Sequence, residues 1–281
     1  MAIGRGGGHR ATAARGAGIF GAATPALARR GSVNRPLLVT SGAVLLLAPC
    51  LLTAWLAFSP DPFFTLPIQA WSTRWFIALA GDPQWRLALP RSLCLALASG
   101  LLAVGLGLPA AIALARSPSR WILPALVLPG CLPPVAWGLG LMPVVAGLEP
   151  LARLGVLVVA DALLGLPVVL LVLRLRVDKT LFGLLETARG LGASPFQAWI
   201  RIGLPQVLPS LMVGWLLAAT LALHEPVLCL FLCPAEWETL PALAWPTLRS
   251  SLTPVVAAAA TVTTCLGLVF CGLAWCSWHR R

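Results

Sequence analysis

The chain has 281 residues, of which 59% are apolar and only 10% charged, with a mean hydropathy of +0.90. That composition excludes an ordinary soluble domain and leaves lipid as the solvent, with room for about six spans of roughly 20 residues each. The net charge of +11 is no sign of nucleic-acid binding, because the basic residues sit mainly in short hydrophilic segments between apolar runs, where membrane orientation needs them.

Residues 1–35 are rich in Gly, Ala and Arg and carry no acid. They are expected to form a disordered, basic cytoplasmic tail, although an Arg-rich, acid-free start is also the composition of an organelle transit peptide. Residues 36–60 hold no charge and predict a first span. Residues 61–91, with Asp61, Arg74, Asp82, Arg86 and Arg91, read as the longest polar connection, a periplasmic loop. Residues 92–278 hold the rest of the transmembrane domain. Span two runs from Ser92 to Ala115 and ends in the basic turn Arg116-Ser-Pro-Ser-Arg120. Span three begins at Trp121 and is interrupted by Pro124, Pro129, Gly130, Pro133 and Pro134. Prolines at that density free carbonyls that need other partners, so this span is broken. A broken helix at mid-depth either lines a substrate path, making Pro133 and Pro134 candidate path residues, or is a structural kink. Glu149 and Arg153 mark an outer loop, and span four, Leu154 to Leu173, contains Asp161.

Residues 178–205 are the one polar, helix-forming stretch deep in the chain. Leu181, Leu184, Leu185, Ala188 and Leu191 recur at helical spacing, with Asp178 as the N-cap and Gly192 at the left-handed stop. Ser194 restarts the pattern with Pro195 in the first helical position and Gln197 completing a capping box. Phe196, Trp199 and Ile200 then form a second apolar face. The expected object is helix, tight turn, helix. Between membrane spans it suits insertion into a groove on a partner, or it lies on the bilayer as a re-entrant interfacial helix.

Span five follows from Val207 to about Phe231 and contains His224 and Glu225. An outer loop with Glu236 and Glu238 leads to span six, Leu252 to Trp278. Six spans put both termini on one side, together with Arg116, Arg120, Arg174, Arg176, Lys179, Arg189 and Arg201; the other side holds far fewer basic residues. The excess predicts cytoplasmic termini and a cytoplasmic loop between spans four and five. Trp55, Trp71, Trp75, Trp121, Trp237, Trp245, Trp275 and Trp278 fall near span ends, as an aromatic belt would. Cys50, Cys94, Cys131, Cys265, Cys271 and Cys276 lie in apolar runs and read as small buried hydrophobes. Cys229 and Cys233 share a helix face, where core packing outweighs a metal or redox role because nothing completes a site.

The pattern Glu-x-Ala, three residues, Gly, nine residues, Ile-x-Leu-Pro is filled by Glu186, Ala188, Gly192, Ile202, Leu204 and Pro205. It resembles the cytoplasmic signature loop of bacterial ABC importer permeases of the binding-protein-dependent type, with Thr187 in place of the usual Ala. The resemblance implies that this loop couples to an ATPase, with Ala193, Ser194, Phe196 and Trp199 joining the six signature residues. It also implies ABC ATPase subunits, a second and related permease chain, a periplasmic solute-binding protein, a bacterial inner-membrane location and no cofactor. Trp71-Ser-Thr-Arg-Trp75, Asp82-Pro83, Leu132-Pro-Pro134, Leu223-His-Glu-Pro-Val227, Thr239-Leu-Pro241 and Leu248-Arg249 are similar to the spermidine/putrescine-type permeases. His224 and Pro226 depart from that group. The implied solute is a polyamine, with ferric iron or a phosphonate as the alternatives.

No Gly-x-x-x-x-Gly-Lys-Ser/Thr loop is present and the only lysine is Lys179, so ATP-driven work needs a separate subunit. No nucleophile, acid–base or metal-ligand cluster is visible, which predicts transport without catalysis, metal or nucleic acid. A stand-alone secondary carrier would need internal repeats and an ion site, and the sequence shows no convincing repeat. Charges inside spans are costly, which makes Asp161 and Glu225 functional candidates suited to a cationic solute. The plainer readings are a helix–helix hydrogen bond for Asp161 and a snorkelling or capping role for Glu225.

Overall fold

The structure, a computed structural model, describes residues 35–64, 67–68, 70–116, 121–251 and 253–279. The expected tail over 1–35 therefore lies outside the described residues, except Arg35. The chain divides into two compact units, Met1–Pro49 and Cys50–Arg281. In the first, the described part is the opening of helix α1 (Arg35–Ala57), whose last turns belong to the second unit.

Among the described residues every regular element is helical, as the sequence predicts. Helix α2 (Arg74–Gly81) is followed at once by α3 (Pro83–Arg116). The expected long loop over 61–91 is thus largely helix, and span two starts nine residues earlier than the charges suggested. Arg86 and Arg91 stopped the hydropathy reading, but a helix can carry its charged first turns beyond the apolar layer. Trp75, expected in an aromatic belt, is buried instead, its Nε1 donating to the Ser59 carbonyl at 2.8 Å.

Helices α4 (Ile122–Cys131) and α5 (Pro134–Val145) meet at 88°, so the predicted break in span three is a sharp bend. Pro133 has no N–H for the Pro129 carbonyl, which instead accepts from Trp137 Nε1 at 3.1 Å. Helix α6 (Pro150–Leu173) carries Asp161, and α7 (Lys179–Gly190) opens the polar stretch. Helix α8 (Pro195–Ala198) runs through a π-turn, Trp199–Gly203, into α9 (Leu204–Leu223). Span five therefore ends at Leu223, not near Phe231. Pro226 cannot continue the ladder, and the chain restarts as α10 (Val227–Leu232). Helices α11 (Leu240–Ser251) and α12 (Val255–His279) complete the described chain.

Four of these segments, Pro83–Arg116, Pro150–Leu173, Pro195–Leu223 and Val255–His279, are long and apolar enough to cross a bilayer, and the bent α4–α5 pair makes a fifth if it is one broken span and not a re-entrant loop. Within α1 the apolar stretch Val44–Ala57 is shorter.

The core forms where α3, α6 and α9 pack on one another. Small residues allow the backbones to approach. A Cβ added at Gly100 would lie 2.7 Å from the Trp215 carbonyl oxygen and 2.9 Å from the Ala219 nitrogen. Both are backbone atoms that cannot swing away. Gly100→Val is therefore expected to remove most folded protein, at a cost on the order of 3 kcal/mol. Size-exclusion profiles of the detergent-extracted chain check this; a monodisperse wild-type peak from the variant would contradict the packing.

The same core reaches into the polar stretch. Leu181, Leu185 and Ala198 are buried in one cluster with Val169, Leu173 and Val207. The expected single apolar face of α7 thus splits: Leu184 and Leu191 point away and stay exposed. All six cysteines expected as buried hydrophobes, Cys50, Cys94, Cys131, Cys265, Cys271 and Cys276, lie exposed on the helix surfaces. Cys131 opens onto a cavity; for the others the reasoning from apolar runs missed that a span has an outer face, where a thiol is as compatible with lipid as it is with a core.

Candidate functional site

Two sites emerge, one inside the bundle and one at its polar elbow. The elbow is built by local hydrogen bonds. Asp178 caps α7 by accepting from the Leu181 amide at 3.0 Å. That amide bond holds the Asp178 carboxyl below the usual range. At the far end the Ala193 amide donates to the Ala188 carbonyl at 3.1 Å and the Gly192 amide to the Arg189 carbonyl at 3.0 Å. This six-to-one, five-to-two pair requires a left-handed residue between, and Gly192 supplies it with φ 93°. Ser194 and Gln197 then form the reciprocal capping box, at 3.2 and 3.1 Å, with Pro195 in the first turn.

Of the second apolar face, Phe196 and Ile200 are exposed. Trp199 is not part of that surface, because its ring lies over Gly203, where an added Cβ would approach it to 2.5 Å. Ile202 packs on the core, and Leu204 is half-exposed at the start of α9. The Leu204 amide donates back to the Trp199 carbonyl, five residues away. This wider turn accommodates Pro205, which has no N–H to continue the ordinary ladder. Glu186 stays exposed, and Ala188, half-buried, turns towards the core.

The second site is a cavity of about 360 Å³. The bend between α4 and α5 contributes Gly130, Cys131, Leu132 and Pro134; α6 contributes Asp161, Leu164 and Pro167; the end of α9 contributes Leu221 and Ala222. Glu225, in the break after α9, closes the list of polar walls. Pro133 shapes the bend without lining the cavity. Asp161 is only 8% exposed. Its Oδ1 has no hydrogen-bond partner among the described residues, so the helix–helix bond expected of it is missing at that atom. Glu225 does cap, accepting from the Val227 and Leu228 amides at 3.0 and 2.6 Å, while still lining the cavity. The two carboxylates are near enough to interact electrostatically. Among the described residues no Lys, Arg or His lines the cavity.

Sequence reasoning named Asp161 and Glu225 separately and missed that they share a chamber. It also missed Trp137, whose only local signal was an indole four residues after Pro133. Cys229 is buried and Cys233 donates to the Trp237 carbonyl at 3.3 Å, which fits a packing role. Among the described residues no group of three or more His, Cys, Asp or Glu could hold a metal.

Residues 103–274 match the family described as "binding-protein-dependent transport system inner membrane component". The chain belongs to this family. The permease is 30% identical over 239 residues to the Escherichia coli K12 putrescine transport system permease protein PotI, covering 81% of this chain and 84% of that one. It is 27% identical over 209 residues to the E. coli K12 spermidine/putrescine permease PotC, covering 73% and 79%. A Mycobacterium bovis molybdenum permease, ModB, is 31% identical over 188 residues, 61% of this chain and 70% of its own. Among solved structures, a bacterial ABC transporter that imports the acidic polysaccharide alginate has the same fold: TM-score 0.58, 16% identity, 85% of this chain and 93% of that one. The permease is thus a membrane-embedded subunit of an ABC importer and no enzyme; ATP hydrolysis belongs to a separate subunit. It works with that ATPase, a second permease and a periplasmic binding protein.

Proposed function

We propose that the permease moves a small organic polycation of the putrescine and spermidine class. The observation that carries this reading is one apolar cavity with Asp161 and Glu225 in its walls and, among the described residues, no cation lining it and no partner for Asp161 Oδ1. A buried carboxylate is costly until a cation meets it. A primary ammonium brings three donors and a methylene chain that matches the apolar walls. The names of PotI and PotC support the same class. The oxyanion implied by ModB, or a phosphonate, would meet two like charges. Ferric iron would find no group of three suitable ligands among the described residues.

Six spans complete the proposed architecture: α1, α3, the α4–α5 pair, α6, the α8–α9 rod and α12. Both termini and the elbow then lie in the cytoplasm, as the basic residues around the elbow favour. The exposed Leu184, Leu191, Phe196 and Ile200 give the elbow an apolar face for the ATPase, and Glu186, Ala188, Gly192, Ala193, Ser194, Trp199, Ile202, Leu204 and Pro205 shape or support it. Asp161, Glu225, Pro133 and Pro134 form or shape the solute path.

The complete transporter, reconstituted with its binding protein in ATP-loaded vesicles, tests the solute class. Labelled putrescine or spermidine is expected to accumulate saturably, with no competition from molybdate. Accumulation of molybdate with no amine uptake would overturn the reading.

A further inference from the structure

We propose that the cleft between the end of α3 and the elbow binds the phosphate headgroup of an anionic phospholipid. The cleft has a volume of about 570 Å³. Three cations line it, Arg116 from the last turn of α3 and Lys179 and Arg189 from the two ends of α7, against one carboxylate, Glu186. Among the described residues none of the three cations forms an ion pair. The Arg116 guanidinium lies 5.1 Å above the Phe182 ring, which holds it over the cleft. Phe182 and Trp199 give the cleft an apolar wall beside these charges.

That combination selects a particular ligand. Three cations against one carboxylate leave an excess of two positive charges that calls for an anion, and phosphate oxygens accept from both guanidinium and ammonium groups. The apolar wall and the position of Arg116, where the apolar run of α3 stops, favour an anion that carries an acyl chain along the helix. The exposed side chains offered to the ATPase, Phe196 among them, do not line the cleft, so the lipid and the motor would occupy different faces of the elbow. The site does not depend on which solute the permease carries.

Native mass spectrometry of the full chain, released from nanodiscs of equal phosphatidylglycerol and phosphatidylcholine content, tests the site. Wild type is expected to retain phosphatidylglycerol at least about tenfold over phosphatidylcholine. The double variant Arg116→Gln/Arg189→Gln should retain the two lipids equally, and Arg116→Lys/Arg189→Lys should keep the preference. Equal retention by wild type, or an undiminished preference in the Gln variant, would overturn the proposal. Displacement of the lipid by millimolar inorganic phosphate would also overturn it, by assigning the cleft to a soluble anion. Should the Gln variant fail to fold, the wild-type preference and the phosphate competition decide the question alone.

Discussion

Replacing Asp161 with Asn should lower amine uptake by the assembled transporter by at least about 30-fold, the effect of removing one partner of a desolvated charge pair. The fold should not suffer. Asp161 Oδ1 has no hydrogen-bond partner among the described residues, so neutralising it removes a desolvation cost and breaks no bond there. Thermal stability of the detergent-extracted variant is therefore expected to be unchanged or higher. The opposite signs are what distinguish a solute-binding carboxylate from a structural one. Wild-type uptake by Asp161→Asn, or a parallel collapse of uptake and stability, would remove Asp161 from the path. Glu225 should behave differently, because it also accepts from two amides that open α10. Glu225→Ala should lose both uptake and about 1 kcal/mol of cap stabilisation, whereas Glu225→Gln keeps part of the cap.

The second large effect is expected at the elbow. A Cβ on Gly192 would meet nothing within 4 Å, so a substitution there costs backbone strain and no clash. At φ 93° that strain is on the order of 1–3 kcal/mol, least for Asn and most for a β-branched residue. The turn would relax by shifting α7 against α8, which moves the exposed faces of Leu191 and Phe196 apart. Gly192→Val, and the bulky Gly192→Trp, should abolish uptake and binding-protein-stimulated ATP hydrolysis while membrane levels of the permease stay normal. Gly192→Asn should retain a measurable fraction of both. Unchanged uptake by the Val or Trp variant would count against the elbow as the coupling element.

The elbow was legible in the sequence because its geometry is local. Asp178, Gly192, Ser194 and Gln197 act through bonds to amides at most five residues away, and composition and spacing carry that information directly. The end of span five was not legible. Val227 to Leu232 is as apolar as any span, and hydropathy does not see a helix break. The two carboxylates stood out singly as costly residues, but their shared cavity depends on how α6, α9 and the α4–α5 bend pack, which no local pattern encodes. The cysteine reading failed for a related reason: in a bilayer an apolar environment does not imply an interior.

The π-turn at Trp199–Gly203 leaves no gap between the elbow and the bundle: Pro195 to Leu223 is a single helical rod of 29 residues, about 44 Å at the usual rise. A displacement applied by the ATPase at the elbow end of this rod would therefore arrive at Leu221, in the wall of the cavity that holds Asp161 and Glu225, as the rotation or piston stroke of one lever. Its far tip is the His224–Pro226 break, so Glu225 would swing at the end of that lever, and under the proposed cationic solute the counter-charge would move in step with each power stroke.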